Sequence, residues 1–258
     1  MLKKALLCVT VILAFISCSK KGGFRVAATP IPQAEMLDFI KPDLKEKGID
    51  LVVVVTDDYN VPNRALNHGD VNANFFQHLP FMEEQIQQFG YKITSVAKIE
   101  IEPMGVYSKK YTSIHQLPQN AKIAIPNDPT NEARALFLLQ DHSLIQLNTQ
   151  NFSATTQNIS YNPHNFNFIE VSAATLPRTL PDVDAAVINT NYALLADLNP
   201  EKGALILETK DSKYANTIAV QDRDQNDLKV QALVKAMTSE KMKDFIEKKY
   251  KGAVIPAF

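Results

Sequence analysis

One pattern constrains this chain more than any other. Short apolar runs rich in β-branched residues are each followed at once by polar residues and then by a helical pattern. LVVVV (51–55), AKIAIP (121–126) and AAVIN (185–189) are the clearest such runs. Runs this uniformly apolar read as strands buried on both faces, as in a parallel sheet. Helical segments alternate with them. Gln33 to Lys47 carries Ala34, Leu37, Ile40 and Leu44 on one face. PNRALNHG (62–69) has Pro near its start and Gly at its end, and Asp128-Pro129 opens a helix through Leu139. Further short strands are expected at 26–28, 167–171, 204–208 and 217–220, an extended stretch at 92–108, and two closing helices near 224–236 and 239–248. This order predicts an α/β protein with mainly parallel sheets. A length of 258 residues suits two α/β lobes. No composition shift marks a single linker, which favours two crossings between lobes over beads on a string.

The first residues obey other rules. MLKKALLCVTVILAFISCSKK has two lysines, an apolar stretch from Ala5 to Ile16, and small residues before Cys18. That is the layout of a signal peptide. The apolar stretch reaches only about 18 Å as a helix, short of the ~30 Å hydrocarbon core. Phe-Ile-Ser-Cys resembles a bacterial lipobox, with Phe15 where an aliphatic residue is usual. Residues 1–17 are therefore expected to be removed, Cys18 to be acylated, and 18–23 to form a tether. Cys8 lies in the leader, so the mature chain has no cysteine pair to form a disulfide. A plain signal peptide with an incidental cysteine is the alternative.

The formal charge of -1, without a basic block, argues against nucleic acid as a partner. The five histidines are scattered without metal-ligand spacing, no Gly-x-Ser-x-Gly elbow occurs, and the eight glycines form no phosphate loop. No catalytic residue, metal or cofactor is called for, and an enzyme has no support.

Ligands of open α/β sheets sit beyond the carboxyl ends of the strands. The polar residues found there are the candidates. Tyr59 follows LVVVVTDD, Asn189 ends AAVIN, and Asn216 precedes TIAV. Taken alone, Asn189 and Asn216 read first as turn or cap residues. Arg134 lies early in the helix after Asp128. It could join the helix N-terminus in binding a carboxylate, or pair with Glu132 or Asp128. NANFFQHLPF (72–81) carries three aromatic rings among amides and a histidine. It reads either as the wall for an apolar or thioether ligand, or as a strand end packing Phe75 or Phe76 into the core while His78 caps the next helix.

Taken in order, NANFFQHLPF, IEPMGVYS, IAIPNDPTNEARALFLLQ, LPRTLPDVDAAVINTNYAL, KYAN and EKKYKGAVIPAF resemble the methionine-binding lipoproteins of bacterial ABC importers, the NlpA lipoprotein family, over nearly the whole mature chain. The resemblance implies a two-lobed, type II-like periplasmic-binding-protein fold. Lobe 1 would comprise 24–106 and 217–258, and lobe 2 107–216, with crossings near 105–108 and 215–218. It implies that Arg134 pairs with the amino-acid carboxylate and that Asn189 and Asn216 hold the polar end. Tyr59, Phe76, His78 and Phe81 would enclose the side chain. It further implies L-methionine, D-methionine or a related analogue as ligand. A membrane permease and ATPase would be the partners, with the lipid anchor facing the periplasm or cell exterior. Three departures stand out. Phe81 replaces a common Tyr, Ile31 and Gln33 stand in a loop that is usually of Gly-Pro-His type, and Val55 and Thr56 replace Glu and Phe. Another apolar amino acid or short peptide as ligand, or a surface lipoprotein with an interaction role, are the rival readings.

Overall fold

The computed structural model describes residues 22–209 and 213–258. The leader and Cys18 lie outside these residues. From the amino end, β1 (Phe24–Ala28), α1 (Glu35–Lys45), β2 (Leu51–Val55), α2 (Pro62–His68), β3 (Ala73–His78), α3 (Leu79–Phe89) and β4 (Ile93–Ile101) build most of a first sheet. The chain then crosses through 102–104 into a second sheet. Its elements are β5 (Gly105–Tyr107), β6 (Lys122–Pro126), α4 (Pro129–Asp141), the small β7 (Gln146–Leu147) and β8 (Ile159–Tyr161) hairpin, β9 (Asn167–Val171), α5 (Leu176–Thr179), β10 (Ala185–Ile188), α6 (Thr190–Leu195), α7 (Pro200–Gly203) and β11 (Ile206–Leu207). It returns as β12 (Ala215–Gln221), α8 (Leu228–Met237), α9 (Glu240–Tyr250) and β13 (Ile255–Pro256).

The first sheet is ordered β13-β4-β12-β3-β1-β2 and the second β11-β5-β10-β6-β9. Both follow one plan. In each, the first three strands lie in the order 2-1-3, the strand arriving from the other lobe adds next to the third, and a fourth follows. That is the type II two-lobed fold. The parallel parts are β2-β1-β3 and β9-β6-β10, while β12, β4, β5, β11 and β13 pair antiparallel. The sheets are thus mixed, because a strand crossing from the other lobe enters against the local direction. The boundaries expected at 106/107 and 216/217 fall inside β5 and β12, each of which lies wholly in one sheet.

LVVVV is not the doubly buried strand its composition suggests. It is an edge strand paired only with β1, and Val55 is 55% exposed at its end. The central strand is instead the mixed-composition ANTIAVQ of β12, all of it buried between β3 and β4. Apolar side chains fill both faces of each sheet. Val26, Phe75, Ile99 and Ile218 centre one cluster in lobe 1, and Ile123, Ile125, Leu136 and Val187 one in lobe 2. Among the described residues no helix is long and apolar enough to cross a membrane.

Candidate functional site

The carboxyl ends of β2 and β3 in lobe 1 face those of β6 and β10 in lobe 2. Between them lies a narrow cavity. All seven residues singled out in the sequence line it: Tyr59, Phe76, His78, Phe81, Arg134, Asn189 and Asn216. Glu102, Asn131, Thr190, Asn191 and Gln77 line it too, and sequence reasoning missed these five.

A bulge explains the aromatic wall. Across β12, Thr217 pairs with Gln77 and Ile218 with Phe75, so Phe76 is the extra residue of β3. An inserted residue bends the strand and re-aims a side chain. Phe75 enters the lobe 1 core while Phe76 reaches the cavity. Asn74 and Gln77, three residues apart, then share one buried amide network with Asn63. Phe76, Phe81 and Tyr59 pack edge-on or tilted, with centroids 5.8 to 5.9 Å apart, within the range in which ring pairs attract.

His78 serves both roles that the sequence left open. It ends β3, caps α3 and still borders the cavity. Its Nδ1 accepts from Phe81 N–H at 3.1 Å, so Nε2 carries the proton and donates to Asn131 Oδ1 at 3.2 Å. Burial, and then the Arg134 charge, lower its pKa to about 3. The ring is therefore neutral, with both nitrogens engaged. Polar recognition cannot fall to His78 and passes to residues facing it.

Those residues are polarised by one carboxylate. Asp128 caps α4, accepting from Asn131 N–H at 3.0 Å and from Asn131 Nδ2 at 2.9 Å. A carboxylate only accepts, so Asn131 must turn its Oδ1 away, toward His78 and Asn189. Asn189 accordingly donates Nδ2 to Asn131 Oδ1 at 2.8 Å. Its own Oδ1 is then left buried without a hydrogen-bond partner. Asn189 is also the residue before α6, but its side chain makes no capping bond there. Beside it, Asn191 accepts from the Tyr59 hydroxyl at 2.7 Å, and its Nδ2 is buried and unpartnered. One spare acceptor and one spare donor thus line the same cavity, although buried polar groups normally find partners.

Arg134 is 4% exposed. Its partner is neither Glu132 nor Asp128, the two that spacing suggested. Glu208, just beyond β11, receives Nε at 3.1 Å and Nη2 at 2.5 Å. Nη2 also donates to the Glu102 carbonyl at 2.7 Å, and the guanidinium lies 4.4 Å from the centre of the Tyr214 ring. Burial works against the charge, but the Glu208 carboxylate outweighs it and Arg134 is held more firmly protonated than usual. One edge of the fork is used, and Nη1 has no partner among the described residues. Asn216 sits across β12 from both His78 and Glu100, and donates Nδ2 to Glu100 at 2.9 Å and Glu102 at 2.8 Å.

The lobes are closed on one another. Tyr59–Asn191 and His78–Asn131 each join them, as does the Tyr192 hydroxyl donating to the Asp57 carbonyl at 2.5 Å. Among the described residues no group of three or more His, Cys, Asp or Glu is placed to hold a metal ion.

Residues 24–258 match the NlpA lipoprotein family. The chain belongs to that family. The methionine-binding lipoprotein MetQ of Bacillus subtilis is 41% identical over 244 residues, covering 92% of this chain and 89% of that one. A nutrient-binding protein from Burkholderia cenocepacia, solved bound to methionine, is 46% identical with a TM-score of 0.88 over 91% of this chain and all (100%) of that one. An ABC transporter periplasmic substrate-binding protein from Coxiella burnetii is 44% identical with a TM-score of 0.86, covering 90% and 99%. The family member described here keeps the two-lobed fold of these relatives. The lipoprotein relatives share the class that the Phe-Ile-Ser-Cys segment suggests.

Proposed function

We propose that this chain is the substrate-binding lipoprotein of an ABC importer and that its ligand is methionine, held in the interlobe cavity and passed to a membrane permease driven by an ATPase. One observation carries the reading. A closed cavity sets three aromatic rings against a buried arginine and two unpartnered amide atoms, in a chain 46% identical to a protein solved with methionine. An amino acid with an apolar tail has this same division.

In this reading the ligand carboxylate meets the free Nη1 of Arg134 and the spare Nδ2 of Asn191. Asn189 and Asn216 hold the remaining polar atoms. The thioether lies among Tyr59, Phe76 and Phe81, where each sulfur–aromatic contact contributes about 0.3–1.5 kcal/mol. Those contacts favour methionine over leucine only in part, so the shape of the pocket supplies the rest. His78 fixes the wall, and Phe81 adds no hydroxyl to it. Because both lobes touch the ligand, binding shifts the protein toward the closed form. The chain passes between the lobes at 102–104 and again between β11 and β12. Cys18 carries the lipid anchor that keeps the receptor at the membrane, and several acyl chains make such an anchor stable.

Titration calorimetry on the soluble chain from residue 22 onward tests the reading. Heat of binding with L-methionine is expected, and D-methionine and norleucine grade the selectivity. No heat with either methionine enantiomer, for protein freed of ligand by unfolding and refolding, would overturn the substrate.

A further inference from the structure

The aromatic wall of the cavity has a far side. Tyr59 and Phe81 line the cavity, and both also line a wider vestibule that opens to solvent between the lobes. Tyr192 lines the vestibule but not the cavity. The two rings that stand between these spaces are held by different means. Phe81 belongs to α3, is buried, and has its N–H bonded to His78, so its own helix fixes it. Tyr59 stands on the loop after the edge strand β2, between the exposed Asp58 and Asn60. Asp58 folds that loop into a local turn by accepting from the Asn60 N–H at 2.8 Å. The turn sets the backbone and leaves the ring to be placed by other contacts.

Those contacts come from α6 of the other lobe. The Tyr59 hydroxyl donates to Asn191, and its ring lies 5.1 Å from the Tyr192 ring, closer than the 5.9 Å to Phe76 or Phe81. Tyr59 thus packs against a lobe 2 core cluster that holds Leu176, Ile188 and Tyr192. Tyr192 is itself buried, and its hydroxyl grips the same loop at the Asp57 carbonyl, 2.5 Å away. The start of α6 is fixed in turn by the Thr190 hydroxyl, which donates to the Pro103 carbonyl at 2.5 Å. A ligand tail that reaches this end of the cavity meets Tyr59 and Phe81. A Tyr59 ring on its loop alone could retreat into the vestibule and admit a longer tail. Tyr192 occupies the place it would retreat to. Close-packed surroundings do not absorb extra methylenes without strain. These contacts join the two lobes, so the limit on length is imposed as the lobes close.

We propose that Tyr192 is a specificity-determining positioning residue: its ring backs Tyr59 and so sets the longest side chain over which the lobes can close. This rests on the reading of the cavity as an amino-acid site. The ligands it refuses are S-alkyl homocysteines longer than methionine. Their extra carbons need the space that Tyr59 holds and, beyond it, the vestibule. Tyr192 acts on them through Tyr59 and not by touching the ligand. The Asp57 bond registers the loop on α6, while the ring is what keeps Tyr59 from moving back.

The test is calorimetry with L-methionine, L-ethionine and S-butyl-L-homocysteine on the wild type, Tyr192→Ala and Tyr192→Phe. Wild-type affinity is expected to fall roughly tenfold or more for the first added methylene, and further for the butyl chain. In Tyr192→Ala methionine should weaken while the butyl ligand gains, so that the ratio between them narrows by roughly tenfold or more. Tyr192→Phe keeps the ring and loses only the Asp57 bond. It should weaken all three ligands by a similar small factor and keep the wild-type ratio. Equal weakening of all three ligands in Tyr192→Ala overturns the assignment, because a residue that only joins the lobes would do that. A ratio relaxed as much by Tyr192→Phe as by Tyr192→Ala overturns it too, since the ring would then not be the stop. Should Tyr192→Ala fail to fold, Tyr192→Leu takes its place with the same ratio as readout. A wild type that binds all three ligands equally overturns the assignment alone. One that binds none of them removes the amino-acid reading first, a distinguishable result.

Discussion

The two walls of the cavity solve opposite problems. Lobe 1 supplies rings that are content without a ligand. Tyr59, Phe76 and Phe81 pack on one another, and both nitrogens of His78 are bonded. Lobe 2 supplies a polar wall with bonds left to make, at Asn189 Oδ1 and Asn191 Nδ2. An unmet buried polar atom costs about 1–3 kcal/mol, so the second wall stores a demand that the first does not. The aromatic side sets shape, and the polar side sets whether anything is held at all.

The comparison breaks most readily at Arg134. Replacing it by Met removes the proposed carboxylate partner and strands the Glu208 side chain, which is only 14% exposed. Breaking a buried pair costs about 3–5 kcal/mol. Affinity for methionine is expected to fall by about that amount, measured by calorimetry on protein shown to be folded. A fall of less than about tenfold, ~1.4 kcal/mol, would mean that Arg134 serves Glu208 alone and that the polar wall is as self-contained as the aromatic one.

Asn131→Ala probes what joins the walls. Its Oδ1 accepts from His78 of lobe 1 and Asn189 of lobe 2. Removing it leaves two buried donors unmet and frees Asn189 to turn over. A loss of about 1–3 kcal/mol in unfolding free energy is expected, together with weaker binding. Full stability in a denaturant melt would show that water replaces the amide and that the relay from Asp128 is not needed.

How far the sequence foretold this site depends on which contacts are local. Tyr59, His78, Asn189 and the α4 cap at Asp128 are consequences of strand ends and helix starts, and short spacing shows them. Phe76 was visible only as one ring among three, since the bulge that aims it is set by pairing with β12, which lies about 140 residues away. Glu208 finds Arg134 across 74 residues, and the Glu100–Glu102 pair meets Gln33 across 67 and 69 residues. Spacing offers no hint of either. LVVVV misled because composition reports burial on average, and the edge position of β2 depends on which strand leaves for the other lobe. The division of the sheets was legible, but its crossings were expected a few residues late because β5 and β12 each begin before their most apolar residues.

The smallest effect is the most discriminating. Tyr59→Phe keeps the ring against Phe76, Phe81 and Tyr192 and deletes only the hydroxyl that donates to Asn191 across the lobes. Such a bond contributes about 0.5–1.5 kcal/mol. It exists only while the lobes are together, so its loss should bear on closure rather than on folding of either lobe. The methionine dissociation rate is expected to rise roughly two- to tenfold by that conversion, with the unfolding midpoint of the ligand-free protein nearly unchanged. Asn191, freed of its acceptor bond, could also turn its amide, which adds to the same effect. A midpoint that drops in step with the affinity would instead assign the hydroxyl to the stability of the protein itself. Tyr59 would then belong with the self-satisfied wall, and the link between the two sides would rest on His78 and Asn131.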